Sequence, residues 1–83
     1  MQTINLLVEF LDGETVEVKT VAADYIAFET KFDKSISELA NDARMTYLFY
    51  LAWHVLKRTK VTELEFEAWS ELVAMVGPVE EKK

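Results

Sequence analysis

The sequence offers few side chains that could carry out a reaction. It has no cysteine and one histidine, His54, and its serines stand at expected helix starts or on the surface. A nucleophile with its general base cannot be assembled from this set, and one histidine without cysteine makes no metal cluster. We therefore expect His54 to be structural, and we predict no enzymatic activity, no cofactor and no metal.

The charged residues narrow the class of partner. Fifteen acidic residues stand against nine basic ones, and the formal net charge of −6 argues against binding to nucleic acid or to anionic membranes. The carboxylates fall on outward sides of the expected strands and helices, where solvated faces are commoner than acid–base pairs. Two glycines in total are too few for a phosphate-binding loop.

The elements that position these side chains begin with a β-hairpin. Apolar residues alternate with other residues before and after an Asp-Gly pair, which is the period of a strand. A three-residue loop from Leu11 to Gly13 pairs Val8 with Val16 and keeps one face apolar, whereas a two-residue loop would place Val8 opposite Glu17. We predict the three-residue loop, with Gly13 in the left-handed conformation, and expect the apolar face to pack on helices.

Two helices are expected on either side of a central one. The first covers about residues 22–32, where Tyr25, Phe28 and Phe32 recur at helical spacing. The third covers about residues 63–76, because a capping-box sequence precedes it and a Gly-Pro stop follows it. The apolar residues of this third helix span more than half of its circumference, which exceeds what one side of a helix usually buries.

The second helix is expected to be central and to run from Ser35, in a capping box with Glu38, to about Arg58. From residue 44 onward it is apolar or aromatic at nearly every position, and such a helix must be covered all round. Its aliphatic side is predicted to be core and comprises Met45, Leu48, Phe49, Leu51, Ala52, Val55 and Leu56. Its other side has apolar bodies with polar tips and comprises Tyr47, Tyr50 and His54, with Trp53 at the edge.

Together these elements predict an α+β fold, with an N-terminal β-hairpin packed against three α-helices and the second helix central. The 83 residues make one domain, residues 1–78, near the lower size limit for a self-sufficient core, and a polar C-terminal tail, residues 79–83. No basic region precedes the N-terminal apolar run, so no signal peptide is expected. The central apolar stretch is too short to cross a bilayer, and the lack of cysteine fits a reducing cytoplasm.

Three segments resemble the tail assembly chaperones of long-tailed phages and prophages. They are residues 23–29 (ADYIAFE), 50–58 (YLAWHVLKR) and 66–69 (FEAW). The likeness covers about residues 20–76 and consists of aromatic residues and their spacing. It implies a small helical domain that binds the long, hydrophobic, helical tape measure protein while tail-tube subunits assemble around it. The family commonly makes a longer product by ribosomal frameshifting, and the Glu-Glu-Lys-Lys end of this chain can be encoded by slippery codons.

The resemblance implies the cytoplasm of a bacterial host and tail-tube subunits as further partners. A homo-oligomer, in which a second copy of the chain is the partner, stays open. The residues expected to contact tape measure helices are Tyr47, Tyr50, Trp53, His54 and Trp69. Two other functions stay open. A small acidic regulatory module, such as an inhibitor that mimics nucleic acid, would need its carboxylates on one exposed face. An enzyme subunit completed by another chain would need a pocket converging on His54 and two carboxylates.

Overall fold

The computed structural model describes residues 4–40 and 44–79, in which a three-stranded antiparallel sheet packs on helices. The strands are β1 (Asn5–Phe10), β2 (Thr15–Lys19) and β3 (Val73–Pro78), in the order β2-β1-β3. The helices are α1 (Ala22–Phe32), α2 (Met45–Arg58) and α3 (Phe66–Ser70), and a short 3-10 helix (Ile36–Ala40) lies between α1 and α2. The predicted α+β class, a hairpin packed on three helices, is confirmed.

The hairpin has the predicted register, with Val8 opposite Val16. The Phe10 amide donates to the Glu14 carbonyl at 2.8 Å and closes the three-residue loop. Gly13 has a φ of +97°, a left-handed conformation that glycine adopts without steric cost. Parity then places the apolar side chains of both strands on the face that the helices cover.

The third helix is much shorter than the prediction of residues 63–76. α3 ends at Ser70, and the chain continues as β3, which pairs antiparallel with β1 and completes the sheet. The Gly77-Pro78 pair that predicted a helix stop lies instead in the last positions of β3. Proline is tolerated there because β3 is an edge strand, and its outward side needs no ladder hydrogen bond.

A β-bulge explains why the sequence of β3 looks helical. The pairing with β1 skips Ala74, because the register shifts between Val73 and Met75. As a result Val73 and Val76, three residues apart, are both buried. Burial at i and i+3 is the spacing of a helix, and here a bulged strand produces it.

The second helix begins later than predicted. The oxygen of the Ser35 hydroxyl accepts a hydrogen bond from the Ser37 amide at 3.2 Å, but this turn starts only the 3-10 helix. α2 begins at Met45, after Arg44 in an extended conformation with ψ 151°. The predicted helix over residues 41–43 lies outside the described residues.

α2 forms the centre of the core, as predicted. Leu51 and Ala52 are inaccessible to solvent, and Val55 is buried. On the other side, α1 packs along α2 through the rings of Phe28 and Tyr47, whose centroids lie 5.3 Å apart. Cover by the sheet on one side and by α1 on the other accounts for the apolar character of most of this helix.

No helix among the described residues is long and apolar enough to cross a membrane. The predicted polar tail, residues 79–83, lies outside the described residues except for Val79. The Val79 amide donates to the Asn5 carbonyl at 3.1 Å, so the pairing of the C-terminal segment with β1 extends one residue beyond β3.

Candidate functional site

A buried carboxylate joins the start of α1 to the end of α2. Asp24 is inaccessible to solvent, and the Arg58 guanidinium donates to both of its oxygens, at 3.1 and 3.0 Å. The Nδ1 atom of His54 lies 2.6 Å from Oδ1 of Asp24. The Val21 amide donates to Oδ2 at 2.8 Å, which caps α1. We call Asp24, His54 and Arg58 the ion network.

The ion network keeps Asp24 charged. Burial raises the pKa of this carboxyl, but hydrogen bonds from Arg58, His54 and the Val21 amide, together with the Arg58 charge, outweigh burial. The pKa of Asp24 therefore lies below its usual 3.8. A charged carboxylate only accepts hydrogen bonds, so Nδ1 of His54 carries the hydrogen. His54 thus contacts the carboxylate of Asp24 and joins two helices through it. The alternative of an enzyme subunit needs a pocket in which two carboxylates converge on His54.

Partly accessible rings form a continuous surface beside the ion network. The Tyr50 ring lies 5.3 Å from Phe32 and 5.6 Å from Trp53, measured between centroids. Phe66 lies 6.0 Å from Tyr50 and 5.7 Å from Trp53. We call Phe32, Tyr50, Trp53 and Phe66 the aromatic surface. Burial raises the pKa of the Tyr50 phenol above 10.0, so this surface carries no charge of its own at neutral pH.

The segment before α3 is held against α2, and this positions Phe66. The Trp53 indole N–H donates to the Leu64 carbonyl at 2.9 Å. The Lys57 ammonium lies 3.1 Å from the Glu65 carboxylate and 5.7 Å from the centre of the Trp53 ring. Because Glu65 is the residue directly before α3, at its N-cap position, these contacts bring the start of the short helix next to α2.

Of the predicted contact residues on α2, three are accessible and one is not. Tyr50, Trp53 and His54 are each partly accessible and lie next to one another. Tyr47 is only 7% exposed, because the Phe32 ring covers it at a centroid distance of 4.9 Å. Tyr47, one of the expected contact residues, is therefore covered within its own chain and is not part of the accessible surface of α2.

The fifth predicted contact residue, Trp69, lies inside the protein. It is 2% exposed, and its ring packs edge-on against Phe10 at 6.4 Å and Phe49 at 6.1 Å. Phe66, three residues earlier on α3, belongs to the aromatic surface instead. Trp69 thus attaches α3 to the sheet and to α2, and it is not available to a partner while the protein is folded.

An open apolar groove lies between α2, α3 and β3, next to the aromatic surface. Its volume is about 370 Å³. Its two methionines are about half accessible, Met45 at 47% and Met75 at 45%. Phe66 lines the groove as well as the aromatic surface, so the two are continuous. We call it the methionine groove; it is lined by Met45, Thr46, Phe49, Phe66, Ser70, Ala74 and Met75.

Two residues that line this groove were predicted to lie in the core. Met45 and Phe49 fall on the predicted aliphatic side of the second helix, and the core prediction is wrong for Met45, which is exposed. The structure opens the groove because α3 stops at Ser70 and the bulged Ala74 is turned outward, exposed to solvent. One feature of the sequence indicates this exposed apolar surface. The apolar residues of the predicted third helix span a wider arc than one side of a helix usually buries.

Two exposed carboxylates follow residues of the methionine groove in the chain. Glu67 and Glu71 follow the groove residues Phe66 and Ser70 in the chain, and both glutamates are exposed. Methionine is unbranched and polarisable, so it fits apolar surfaces of differing shape. The groove therefore presents an adaptable apolar surface in a protein of net negative charge.

A second exposed apolar area lies at the turn of the hairpin. Leu11 and Leu72 are exposed, and the Leu11 amide donates to the Leu72 carbonyl at 2.9 Å. The depression between these leucines, Phe10 and Asp12 has a volume of about 220 Å³. This depression is smaller than the methionine groove and shares no lining residue with that groove or with the aromatic surface. Because it is also apolar, it serves as a control surface for binding experiments.

Among the described residues, no group of three or more histidine and carboxylate side chains could hold a metal ion. The exposed carboxylates lie on the hairpin, on α1 and directly after it, on the 3-10 helix and around α3. Comparison with models of known protein families, with curated protein sequences and with solved structures gave no match.

Proposed function

We propose that this protein is a non-enzymatic chaperone of phage tail assembly, which binds hydrophobic helices of a tape measure protein and keeps that protein soluble in the host cytoplasm. The resemblance to tail assembly chaperones supports the class of function. The observation that carries the mode of binding is the methionine groove, with Met45 and Met75 about half accessible at its walls.

The dimensions of the groove suit one face of an amphipathic helix. Such a helix presents apolar side chains at i, i+3, i+4 and i+7 to a hydrophobic groove. A volume of about 370 Å³ admits a few side chains and excludes a whole helix, so the helix lies along the opening. Phe66 continues the apolar contact onto the aromatic surface, where the remaining side chains of that face pack.

Binding of this kind is reversible and accepts partner helices of different sequence. Apolar contact contributes about 25 cal/mol per Å² removed from water, and association and ordering costs offset much of it. A chaperone of assembly must leave when tail-tube subunits cover the tape measure protein, so weak contacts are an advantage. Flexible methionines allow different helices along a long protein to use the same groove.

The acidic residues contribute to the solubility of the complex and to the choice of partner helix. The exposed Glu67 and Glu71 favour helices whose apolar face is flanked by lysine or arginine. The net charge of −6 keeps a complex with a hydrophobic protein from associating further.

Co-expression with the tape measure protein of the same phage or prophage tests the proposal. Met45→Glu combined with Met75→Glu places two charges in the groove and should move the tape measure protein from the soluble to the insoluble fraction. The matched control is Leu11→Glu with Leu72→Glu, which makes the same change at two exposed side chains of the hairpin turn and should leave the tape measure protein soluble. Circular dichroism and thermal melts of each variant alone establish that it is folded.

Each other outcome overturns a defined part of the proposal. A wild-type protein that does not solubilise the tape measure protein overturns the function. Loss of solubility only with the leucine pair moves the binding site to the hairpin turn. Trp69, one of the contact residues expected from the sequence, is unsuitable for such a substitution, because Trp69→Glu would place an unpaired charge in the core.

A further inference from the structure

β2 is an edge strand whose outer backbone has no strand partner in the described chain, since it pairs only with β1. The even-numbered residues of β2, and Thr20 directly after it, form the backbone hydrogen bonds to β1. The Thr20 amide, for example, donates to the Ile4 carbonyl at 3.1 Å. Successive residues of an antiparallel strand direct their backbone groups to opposite sides. Thr15, Glu17 and Lys19 therefore direct their N–H and C=O groups away from the sheet, where another strand can bind them.

The side chains on this edge have opposite charges two residues apart. Glu17 and Lys19 are both exposed, and neither forms an ion pair with another described residue. Charged side chains on an edge strand usually prevent pairing with a second strand. An antiparallel copy of β2 reverses that effect, because it can set each glutamate opposite a lysine.

Backbone parity and charge together select one register for two such copies. Centred on Glu17, the pairing would set the two Glu17 side chains against each other, which is destabilising. Centred on Val16, it would set Glu17 opposite Thr15 and leave Lys19 without an acidic neighbour. Centred on Val18, it sets Glu17 of each copy opposite Lys19 of the other, and both pairs can exchange backbone hydrogen bonds.

We propose that the partner of this edge is a second copy of the chain, joined through antiparallel β2 strands about a two-fold axis at Val18. The sheet then runs continuously through both copies. The contact closes after two chains, because each copy uses its β2 edge once. β3 and the methionine groove lie at the opposite edge of the sheet, so the dimer leaves the groove open and does not depend on the proposed chaperone function.

Exposed apolar side chains at both ends of β2 add to this contact. Val21 comes directly after the strand and is exposed, as is Val61, which lines a depression together with Thr15 and Val16. In an antiparallel pair, the start of one β2 lies beside the end of the other, so Thr15 and Val61 of one copy approach Val21 of the second. Their burial supplies apolar area that a short ladder lacks.

Sedimentation equilibrium over a range of protein concentrations tests the dimer. The wild-type protein should reach twice the 9.6 kDa mass of the chain. Glu17→Lys and Lys19→Glu each convert both ion pairs into like-charge pairs, so each should raise the dissociation constant by about tenfold or more. An equal mixture of the two variants should restore a heterodimer, because every lysine then faces a glutamate. Lys31→Glu, an equal charge change on exposed α1 surface, should leave the dimer unchanged.

Amide hydrogen exchange of the unmodified protein gives a second readout. In the dimer, the amides of Glu17 and Lys19 should be protected, and their protection should increase with protein concentration. Unprotected amides at high concentration, or a wild-type protein that is monomeric throughout, would overturn the proposal. So would variants that associate as the wild type does, because the dimer would then use another surface.

Discussion

The two ends of α2 are held in different ways. At the C-terminal end, His54 and Arg58 bind the buried Asp24 through hydrogen bonds of 2.6 to 3.1 Å. At the N-terminal end, Met45 and Phe49 line an open groove, and Met45 is about half accessible. One helix therefore has a fixed end and an adaptable end.

This difference separates the requirements of the fold from those of binding. Buried charges must keep their particular partners, so an ion network admits one arrangement of the helices it joins. Apolar contacts have no such directionality, and methionine side chains can repack against different surfaces. The single histidine stabilises the fold through its contact with Asp24, whereas the methionines belong to the proposed binding site.

The largest expected effect of a mutation at these two ends is at the fixed end. Asp24→Asn leaves Arg58 and His54 without their charged partner, and such losses cost about 3 to 5 kcal/mol for buried pairs. We expect about 3 kcal/mol, the lower limit, because a third of the Arg58 side chain (33%) can regain water. Chemical denaturation measures the unfolding free energy. A loss below about 1 kcal/mol, the range of surface ion pairs, would mean that the ion network does not fix this end.

Acid should weaken the same interaction without a mutation. The pKa of Asp24 is lower in the folded protein than its usual 3.8, so its stabilising contribution is fully present above about pH 4 and is lost as the pH falls through the folded-state pKa. The unfolding free energy of the wild type should therefore fall more steeply below about pH 4 than that of Asp24→Asn. Denaturation curves recorded at several pH values test this, and equal slopes would contradict the lowered pKa.

A smaller effect is expected where α2 ends. Lys60 has a φ of +66°, its amide donates to the Lys57 carbonyl at 3.1 Å, and the next amide returns to the Leu56 carbonyl. This is the Schellman motif, whose left-handed position favours glycine. Lys60→Gly should raise the unfolding free energy by up to about 1 kcal/mol. Thr59→Gly, at a φ of −89°, is the control and should lower the melting temperature.

The smallest effects on stability are expected at the adaptable end. Met45→Ala and Met75→Ala should each change the unfolding free energy by no more than about 0.5 kcal/mol, as at other exposed positions, while weakening binding to the tape measure protein. Thermal melts measure the first effect and pull-down assays the second. A clear loss of stability in either variant would show that the groove wall is part of the core.

The fold could be predicted where the local pattern decides the structure. Parity around the Asp-Gly pair identifies the pairing of Val8 with Val16, and helical spacing of aromatics locates α1. The prediction failed at β3, because the bulge at Ala74 gives a strand the spacing of a helix. Its pairing partner, β1, lies at the opposite end of the chain, and no local signal in either segment identifies the other.

The site could be predicted only in part, for a similar reason. A helical wheel places Tyr47 and Tyr50 on one side of α2, but only the position of Phe32 decides that Tyr47 is covered. Asp24, the partner of His54, lies 30 residues earlier in the chain. The sequence shows that apolar surface is in surplus, and the tertiary arrangement determines which residues supply it.

Methyl NMR on protein labelled at the methionine methyl groups tests the proposed groove most directly. The ligand is an amphipathic helical segment of the tape measure protein, and the signals are assigned with methionine-to-alanine variants. The signals of Met45 and Met75 should shift as the segment is added, and they should shift more than the ring signals of His54, which lies beyond the aromatic surface at the fixed end. Shifts at His54 with unchanged methionine signals would contradict the proposal, because the partner would then bind at the wrong end of α2.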